Sequence, residues 1–171
     1  GQAVVVGAGA AAQGVRTLLA LQAAGAQQQP ANSLISGAPG TQAEKERFSV
    51  DVELAENKTP AGTSVEITAR YDCRKKHYVY ADTVDISLEG VKPRRDGFSL
   101  GQVELPDPKT KYDKYRQEET RYFDGSFSAS APLQVSREVP EGSYTVTVSA
   151  AYRGCGPDRC YLPASKTFEL D

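Results

Sequence analysis

The sequence predicts an all-β fold built as an antiparallel sandwich, and three observations support this prediction. Apolar and polar residues alternate in five separate segments after Phe48, turn-forming residues separate these segments, and no convincing amphipathic helix interrupts them. Each segment is therefore a strand with one apolar face. Because one-sided strands bury these faces by packing two sheets together, an immunoglobulin-like β-sandwich is the favoured architecture, with a closed barrel as the alternative.

The individual strands can be read in chain order. Their alternating apolar residues are Phe48, Val50, Val52 and Leu54; Val65, Ile67, Ala69 and Tyr71; Val84, Ile86 and Leu88; Phe127, Ala129 and Ala131; and Tyr144, Val146, Val148 and Ala150. Turns rich in glycine, proline and small polar residues are predicted at Asn57–Gly62, Gly90–Gly97, Pro106–Pro108, Asp124–Gly125 and Pro140–Gly142. The series assigns residues 47–171 to one folded domain.

Residues 1–46 have a different composition, because Ala, Gly and Gln dominate and aromatic residues are absent. We expect a leader and linker that is not part of the core. The favoured interpretation is the remnant of an export signal, with Arg16 as its basic flank, residues 18–24 as its apolar stretch and Ala24-Gly25-Ala26 as its cleavage site. A disordered leader or a docked helix is the alternative.

The same segment contains Gly7-x-Gly9-x-x-Ala12 after Val4–Val6, which has the form of a dinucleotide-binding fingerprint. The acidic residue expected about 20 positions further on is missing. No series of βα units follows the motif. Nucleotide binding is therefore disfavoured.

Length and charge exclude several functional classes. A chain of 171 residues allows one domain and a tail. With 20 basic and 22 acidic residues it has no excess positive charge for nucleic acid or an anionic membrane surface. Apolar runs are too short for a membrane span, so any membrane part lies outside this chain. His77 is the only histidine and no serine occupies a nucleophile elbow, so hydrolase chemistry is not supported.

The strongest chemical signal is Cys155-Gly156-Pro157-Asp158-Arg159-Cys160, a turn that brings two thiols within bonding reach. A disulfide that closes so short a loop stabilises a fold least. The pair is therefore predicted to open and close, and the neighbouring Arg153 and Arg159 favour a reactive thiolate. A static staple is the alternative.

A metal site is a further alternative. Cys73 and His77 form a C-x3-H pair, and with Cys155 and Cys160 they would make a Cys3His set that zinc accepts. Against this, Cys73 continues the apolar face of the strand before it, where a buried cysteine acts as a small hydrophobe. No metal and no cofactor are predicted.

The residues around the two cysteines resemble the N-terminal periplasmic domain of the thiol:disulfide interchange protein DsbD family. In that family a Tyr-x-Gly-Cys and Cys-Tyr-x-Pro motif precedes a final strand, as do residues 152–155, 160–163 and 166–170 here. The match continues upstream, where the Tyr-rich strand, the Val-x-Leu-Pro step, the cap loop and the lead-in correspond to residues 77–80, 103–106, 113–122 and 38–40. The resemblance covers about residues 35–171.

This resemblance implies a periplasmic immunoglobulin-like domain that acts as a protein-disulfide reductase. Thioredoxin-like proteins or domains would be its partners, as electron donor and as acceptors of the disulfide-isomerase type. By position, Cys160 would form the mixed disulfide and Cys155 would resolve it. The other site residues implied are Asp113 and Tyr115 in the cap, and the rings Tyr78 and Tyr80 beside the disulfide.

The residues also allow less specific interpretations. Tyr115 could be a ring packed on its own turn, Asp113 a solvated charge, and Tyr78 and Tyr80 ordinary strand residues. The charged run at residues 109–119 is typical of solvated surface. Gln117 stands where the family usually has Gly, and the cysteine loop is shorter than the commonest form. A non-catalytic binding or metal-carrying module of the same fold is the alternative function.

Overall fold

The computed structural model describes residues 4–6 and 47–171, and in these ranges the regular structure is strand apart from one short 3-10 helix, Ala81–Thr83. The strands are β1 (Val4–Val6), β2 (Phe48–Leu54), β3 (Lys58–Thr59), β4 (Ser64–Cys73), β5 (Tyr78–Tyr80), β6 (Asp85–Lys92), β7 (Phe98–Leu100), β8 (Lys109–Asp113), β9 (Glu118–Asp124), β10 (Ser126–Val135), β11 (Gly142–Tyr152), β12 (Gly154–Cys155) and β13 (Ala164–Leu170). The all-β prediction is confirmed, and its five strands correspond to β2, β4, β6, β10 and β11.

Two of the sheets face each other across the core. One has the order β2-β4-β10-β7, and in the other β11 pairs with β13, β6 and β1. Along β4 every odd-numbered residue from Val65 to Cys73 is buried, as alternation requires for a strand with one wet face. Ile67 and Leu133 from the first sheet and Val146 and Val148 from the second are fully buried in one cluster. This is the predicted immunoglobulin-like sandwich.

A third sheet, with the order β12-β5-β9-β8, carries the cysteine loop. β12 pairs with β5 so that Cys155 lies opposite Tyr78, and β5 pairs with β9 so that Tyr80 lies opposite Tyr122. The charged run at residues 109–119 forms most of the β8–β9 hairpin. Gln117 in its turn adopts the left-handed conformation with φ 58°. Glycine adopts this conformation without strain, whereas a residue with a Cβ, such as Gln117, does so at a cost.

The first described residues lie within the segment that composition predicts to be a leader, and they form a strand. Val4–Val6 form strand β1, which pairs antiparallel with β11 and parallel with β3. The glycines of the fingerprint motif, the export-signal residues and the linker lie outside the described residues. Within the described ranges, no helix has the length and apolarity that crossing a membrane requires.

Candidate functional site

The centre of the site is a disulfide between Cys155 and Cys160. The two residues face each other as an antiparallel bridge, and two backbone hydrogen bonds close the turn: Gly156 N–H donates to Arg159 O (2.8 Å) and Tyr161 N–H to Gly154 O (2.9 Å). Cys155 is fully buried, whereas Cys160 is half-buried. One residue of the pair is therefore accessible from solvent and the other is enclosed.

Two of the predicted tyrosines pack beside this disulfide, and the predicted acid binds both of them. The Tyr80 hydroxyl lies 3.2 Å from Cys160 Sγ. Tyr78 and Tyr80 both donate to Asp113 Oδ2, each over 2.9 Å. Because the single hydroxyl proton of Tyr80 points to Asp113, the tyrosine presents its oxygen lone pairs to the sulfur.

Asp113 is 2% exposed and lies at the end of β8. Its second carboxylate oxygen accepts the backbone N–H groups of Tyr115 (2.7 Å) and Arg116 (3.1 Å), which fixes the turn of the cap. Burial opposes the charge, but the N–H of Arg116, the hydroxyls of Tyr78 and Tyr80 and the N–H of Tyr115 together lower the pKa of Asp113 below its usual value. The solvated-charge interpretation of Asp113 is therefore wrong.

The tyrosine pair is held as neutral phenol. Burial, followed by the bond to Asp113, raises the pKa of Tyr78 and that of Tyr80. The two rings meet edge to face with centroids 5.6 Å apart, and Tyr122 packs against Tyr78 in the same way at 5.5 Å. The site thus combines a carboxylate that stays charged with two phenols that stay protonated.

Tyr115 connects the cap to the cysteine loop. Its side chain is 41% exposed, and its hydroxyl donates to Pro157 O over 3.4 Å, a long hydrogen bond. The Lys114 ammonium lies 5.0 Å from the centre of the Tyr115 ring. Tyr115 therefore reaches the loop of the disulfide through its hydroxyl.

Arg116 and Asp82 also contact this site, although no separate pattern in the sequence pointed to either. The Arg116 guanidinium lies 3.8 Å from the centre of the Tyr80 ring and pairs with Asp82 over 2.9 Å. Asp82 lies in the 3-10 helix directly after β5. Arg116 thereby holds the cap against Tyr80, and only its place in the cap motif could have drawn attention to it.

The structure does not assemble the alternative Cys3His metal site. Cys73 is buried in the sandwich core, where burial and then the carboxylates of Asp72 and Asp124 raise the pKa of its thiol to about 12. His77 stacks on Tyr161 instead. Among the described residues, no group of three or more His, Cys, Asp and Glu side chains could hold a metal ion.

Comparisons with known proteins agree with this geometry. The family model described as "Thiol:disulfide interchange protein DsbD, N-terminal" matches residues 43–171. The solved DsbD N-terminal domain of Neisseria meningitidis in the reduced form is 19% identical, with a TM-score of 0.54 over 80% of this chain and 94% of that chain. At that identity the likeness shows the fold.

A second solved structure is the complex between the DsbD N-terminal and PilB N-terminal domains of Neisseria meningitidis. It is 18% identical, covers 81% of this chain and 88% of that chain, and has a TM-score of 0.47. No curated protein matches the sequence. Because the family model extends from before β2 to the last residue, the chain belongs to the family of DsbD N-terminal domains.

Proposed function

We propose that this domain performs thiol–disulfide exchange and passes reducing equivalents to partner proteins through a reversible Cys155–Cys160 disulfide. The observation that carries the proposal is the asymmetry of the pair: Cys160 is half-buried at the surface while Cys155 is fully enclosed. Exchange requires a sulfur that another protein can reach and a second one nearby to release it. Membership of the DsbD N-terminal family supports the same chemistry.

The reaction begins with the reduced domain. The Cys160 thiolate attacks one sulfur of the partner's disulfide, that bond breaks, and the partner's other sulfur leaves as a thiolate and takes up a proton. The resulting mixed disulfide joins Cys160 to the partner. Cys155, as thiolate, then attacks Cys160 Sγ and displaces the partner's second thiolate. Two electrons have passed to the partner, and the domain holds the disulfide again.

A thioredoxin-like dithiol reduces the domain by the reverse sequence of steps. We place both reactions in the periplasm, the setting of the family, and assign the domain the role of a protein-disulfide reductase. Donor and acceptor would both react at Cys160, the half-buried cysteine, because Cys155 is fully buried. Partner choice therefore depends on surfaces around Cys160.

The surrounding residues are assigned roles through their contacts. In the reduced domain, a Cys160 thiol can donate to the Tyr80 oxygen, because the hydroxyl proton of Tyr80 is itself donated to Asp113. The Asp113 carboxylate, which the Tyr80 hydroxyl links to Cys160 Sγ, also disfavours negative charge on that sulfur. We assign Tyr80 and Asp113 to holding Cys160 as a thiol between reactions, and Tyr115 to covering the loop.

Trapping of the mixed disulfide tests this function. Reduced Cys155→Ser and Cys160→Ser variants are each mixed with an oxidised thioredoxin-like protein and, in parallel, with the PilB N-terminal domain. Cys155→Ser should accumulate a covalent complex that a reductant dissolves, because the resolving thiol is missing. Cys160→Ser is the matched control and should trap little. Cys73 is present and buried in both variants, so their difference reports on the loop.

Equal trapping by both variants, or trapping by Cys160→Ser alone, would contradict the assignment of the two cysteines. Absence of any complex with either protein would contradict the proposed function for those partners. Mass spectrometry of the complex identifies which sulfur is bonded.

A further inference from the structure

A cleft of about 720 Å³ opens beside the cap and has no part in the exchange steps described above. Its walls include the turn at residues 74–78, the hairpin at residues 111–115, residues 122, 124 and 125, and Gly156 and Pro157 of the cysteine loop. Binding clefts in proteins have volumes of about 300–1,000 Å³. The cleft can therefore hold a short stretch of polypeptide next to the disulfide.

The charge of this cleft is strongly one-sided. Five cationic side chains line it: Arg74, Lys75, Lys76, Lys111 and Lys114. None of them forms a salt bridge with another described residue. The chain as a whole carries a net charge of −2, so this positive region is local.

The two carboxylates in the walls are already engaged. Asp113 is buried under its four donors, and Asp124 pairs with Lys109 over 2.7 Å. The Lys111 ammonium lies 3.0 Å from the centre of the Tyr78 ring and 4.6 Å from that of Tyr122. The Lys111 ammonium is therefore held by cation–π contacts with two ring faces and not by a salt bridge with a carboxylate of another described residue.

We infer that this cleft binds an extended acidic segment of the protein partner, beside the partner's redox-active cysteines. The inference rests on the proposed function and extends it to partner selection. The cations are spread over two wall segments rather than gathered around one point, which suits carboxylates spaced along a chain. Tyr112 and Tyr115, which are 69% and 41% exposed, offer ring faces to the apolar parts of such a segment.

The location of the cleft gives this binding a consequence for the reaction. Because Pro157 forms part of both the cleft and the cysteine loop, a segment held there places the neighbouring partner sulfurs near Cys160. Complementary charge also speeds the encounter of two proteins, and salt weakens this effect. Partners with acidic residues near their disulfide should be preferred.

The test uses the intact oxidised domain and a fluorescent Glu-rich peptide that contains no cysteine. A Gln-rich peptide of equal length is the matched probe, and binding is followed by fluorescence anisotropy. The Glu-rich peptide should bind more tightly at low ionic strength and lose about tenfold in affinity at high salt. Arg74→Gln combined with Lys75→Gln should also weaken its binding by about tenfold, since both side chains are exposed and line the cleft.

The control is Arg94→Gln combined with Arg95→Gln, which removes the same charge from an exposed loop between β6 and β7 and should leave binding unchanged. Equal affinity for both peptides, or an equal loss in the control variant, would overturn the inference. If citrate displaced the Glu-rich peptide at a concentration equal to that of the peptide, the cleft would be a site for small anions. That result would also overturn the inference. The salt titration on the wild-type domain does not depend on how the variants fold.

The peptide has no thiol, so this measurement is independent of exchange. A domain that traps a mixed disulfide but does not prefer the Glu-rich peptide retains the proposed function and loses the docking inference. A domain that prefers the Glu-rich peptide but traps no mixed disulfide loses the proposed function and retains a cleft that binds acidic segments.

Discussion

Asp113 accepts four hydrogen bonds, two from backbone N–H groups of the cap and two from the tyrosine hydroxyls beside the disulfide. It thereby connects the cap to the site through a single side chain. A buried charge is stable only when its hydrogen bonds are satisfied, and here the donors more than offset its loss of water. The position of the Tyr80 oxygen next to Cys160 follows from this carboxylate.

Replacing the charge tests that role. Asp113→Asn keeps the size of the side chain but loses its charge, and we expect the free energy of unfolding to fall by about 2 kcal/mol at neutral pH. The folded-state pKa of Asp113 is depressed, so its stabilisation is present above the unfolded pKa and is lost as pH falls through the folded pKa. The difference in the free energy of unfolding between wild type and variant should therefore become smaller as the pH falls below about 4. Urea unfolding at several pH values measures it, and a gap that does not change with pH would contradict the expectation.

A second residue-scale prediction concerns Tyr115. We expect the Tyr115 ring, whose hydroxyl contacts Pro157 of the cysteine loop, to restrict access of small thiols to the disulfide without taking part in the chemistry. Tyr115→Ala should leave the domain folded and speed reduction of Cys155–Cys160 by dithiothreitol by about threefold or more, which corresponds to about 0.65 kcal/mol or more of barrier. Quenched alkylation at fixed pH measures the rate.

Tyr115→Phe is the matched control, because it keeps the ring and removes only the hydroxyl that contacts Pro157. A rate near that of the wild type for this variant would assign the effect to the ring. An unchanged rate for Tyr115→Ala in a folded domain would mean that the ring does not shield the disulfide.

At the scale of elements, the third sheet collects the site from distant parts of the chain. β12 supplies the first cysteine, β5 the tyrosines and β8 the acid, and β9 joins β5 to β8. Glycines allow this sheet to lie close to the sandwich. A side chain at Gly154 would overlap the Phe48 ring, and one at Gly156 would lie 2.9 Å from His77 Nε2. The glycine of the Tyr-x-Gly-Cys motif therefore has a packing role.

Gly154→Ala tests this contact. Its methyl group would force Phe48 out of the core or displace β12, and overpacking of this kind costs about 1–3 kcal/mol. Gly90→Ala is the matched control, since a methyl group there meets no atom within 4 Å. Urea unfolding of both variants gives the comparison. A similar loss of stability in the two variants would show that the Phe48 contact is not the cause.

At the scale of the whole molecule, the disulfide lies apart from the sandwich core. The main core cluster joins residues of the two facing sheets, whereas Cys155 packs in a separate small cluster with Tyr78 and Tyr80. Cys155 and Cys160 are only five positions apart, so the bond removes little entropy from the unfolded chain. Such a bond can open and close while the domain stays folded.

Reduction should therefore lower the free energy of unfolding by about 2 kcal/mol and leave a cooperative thermal transition. Calorimetry with and without dithiothreitol measures this, and the Cys155→Ser, Cys160→Ser double variant serves as a permanently open control. Loss of the cooperative transition in the reduced wild type and in the double variant would mean that the disulfide is structural.

Much of the sandwich could be predicted from local pattern. Alternation of residues such as Val65, Ile67 and Ala69 identifies a one-sided strand, because successive side chains point to opposite faces. The charged β8–β9 hairpin was missed for the same reason: its residues are mostly exposed or half-buried and give no clear alternation of apolar and polar residues. β7 is too short to show a period.

For the site, the cysteine pair could be read from the spacing of Cys155 and Cys160, and the residue types around it could be read from the family motif. The folded chain was needed to show that Cys155 is buried and Cys160 half-buried, that Asp113 is buried and bound by both tyrosines, and that Arg116 lies over Tyr80. The difference arises because these features depend on interactions between residues that are far apart in the chain. Strand period and turn chemistry act between neighbours in the chain, whereas burial and charge at a residue depend on which distant strands pair and in which register.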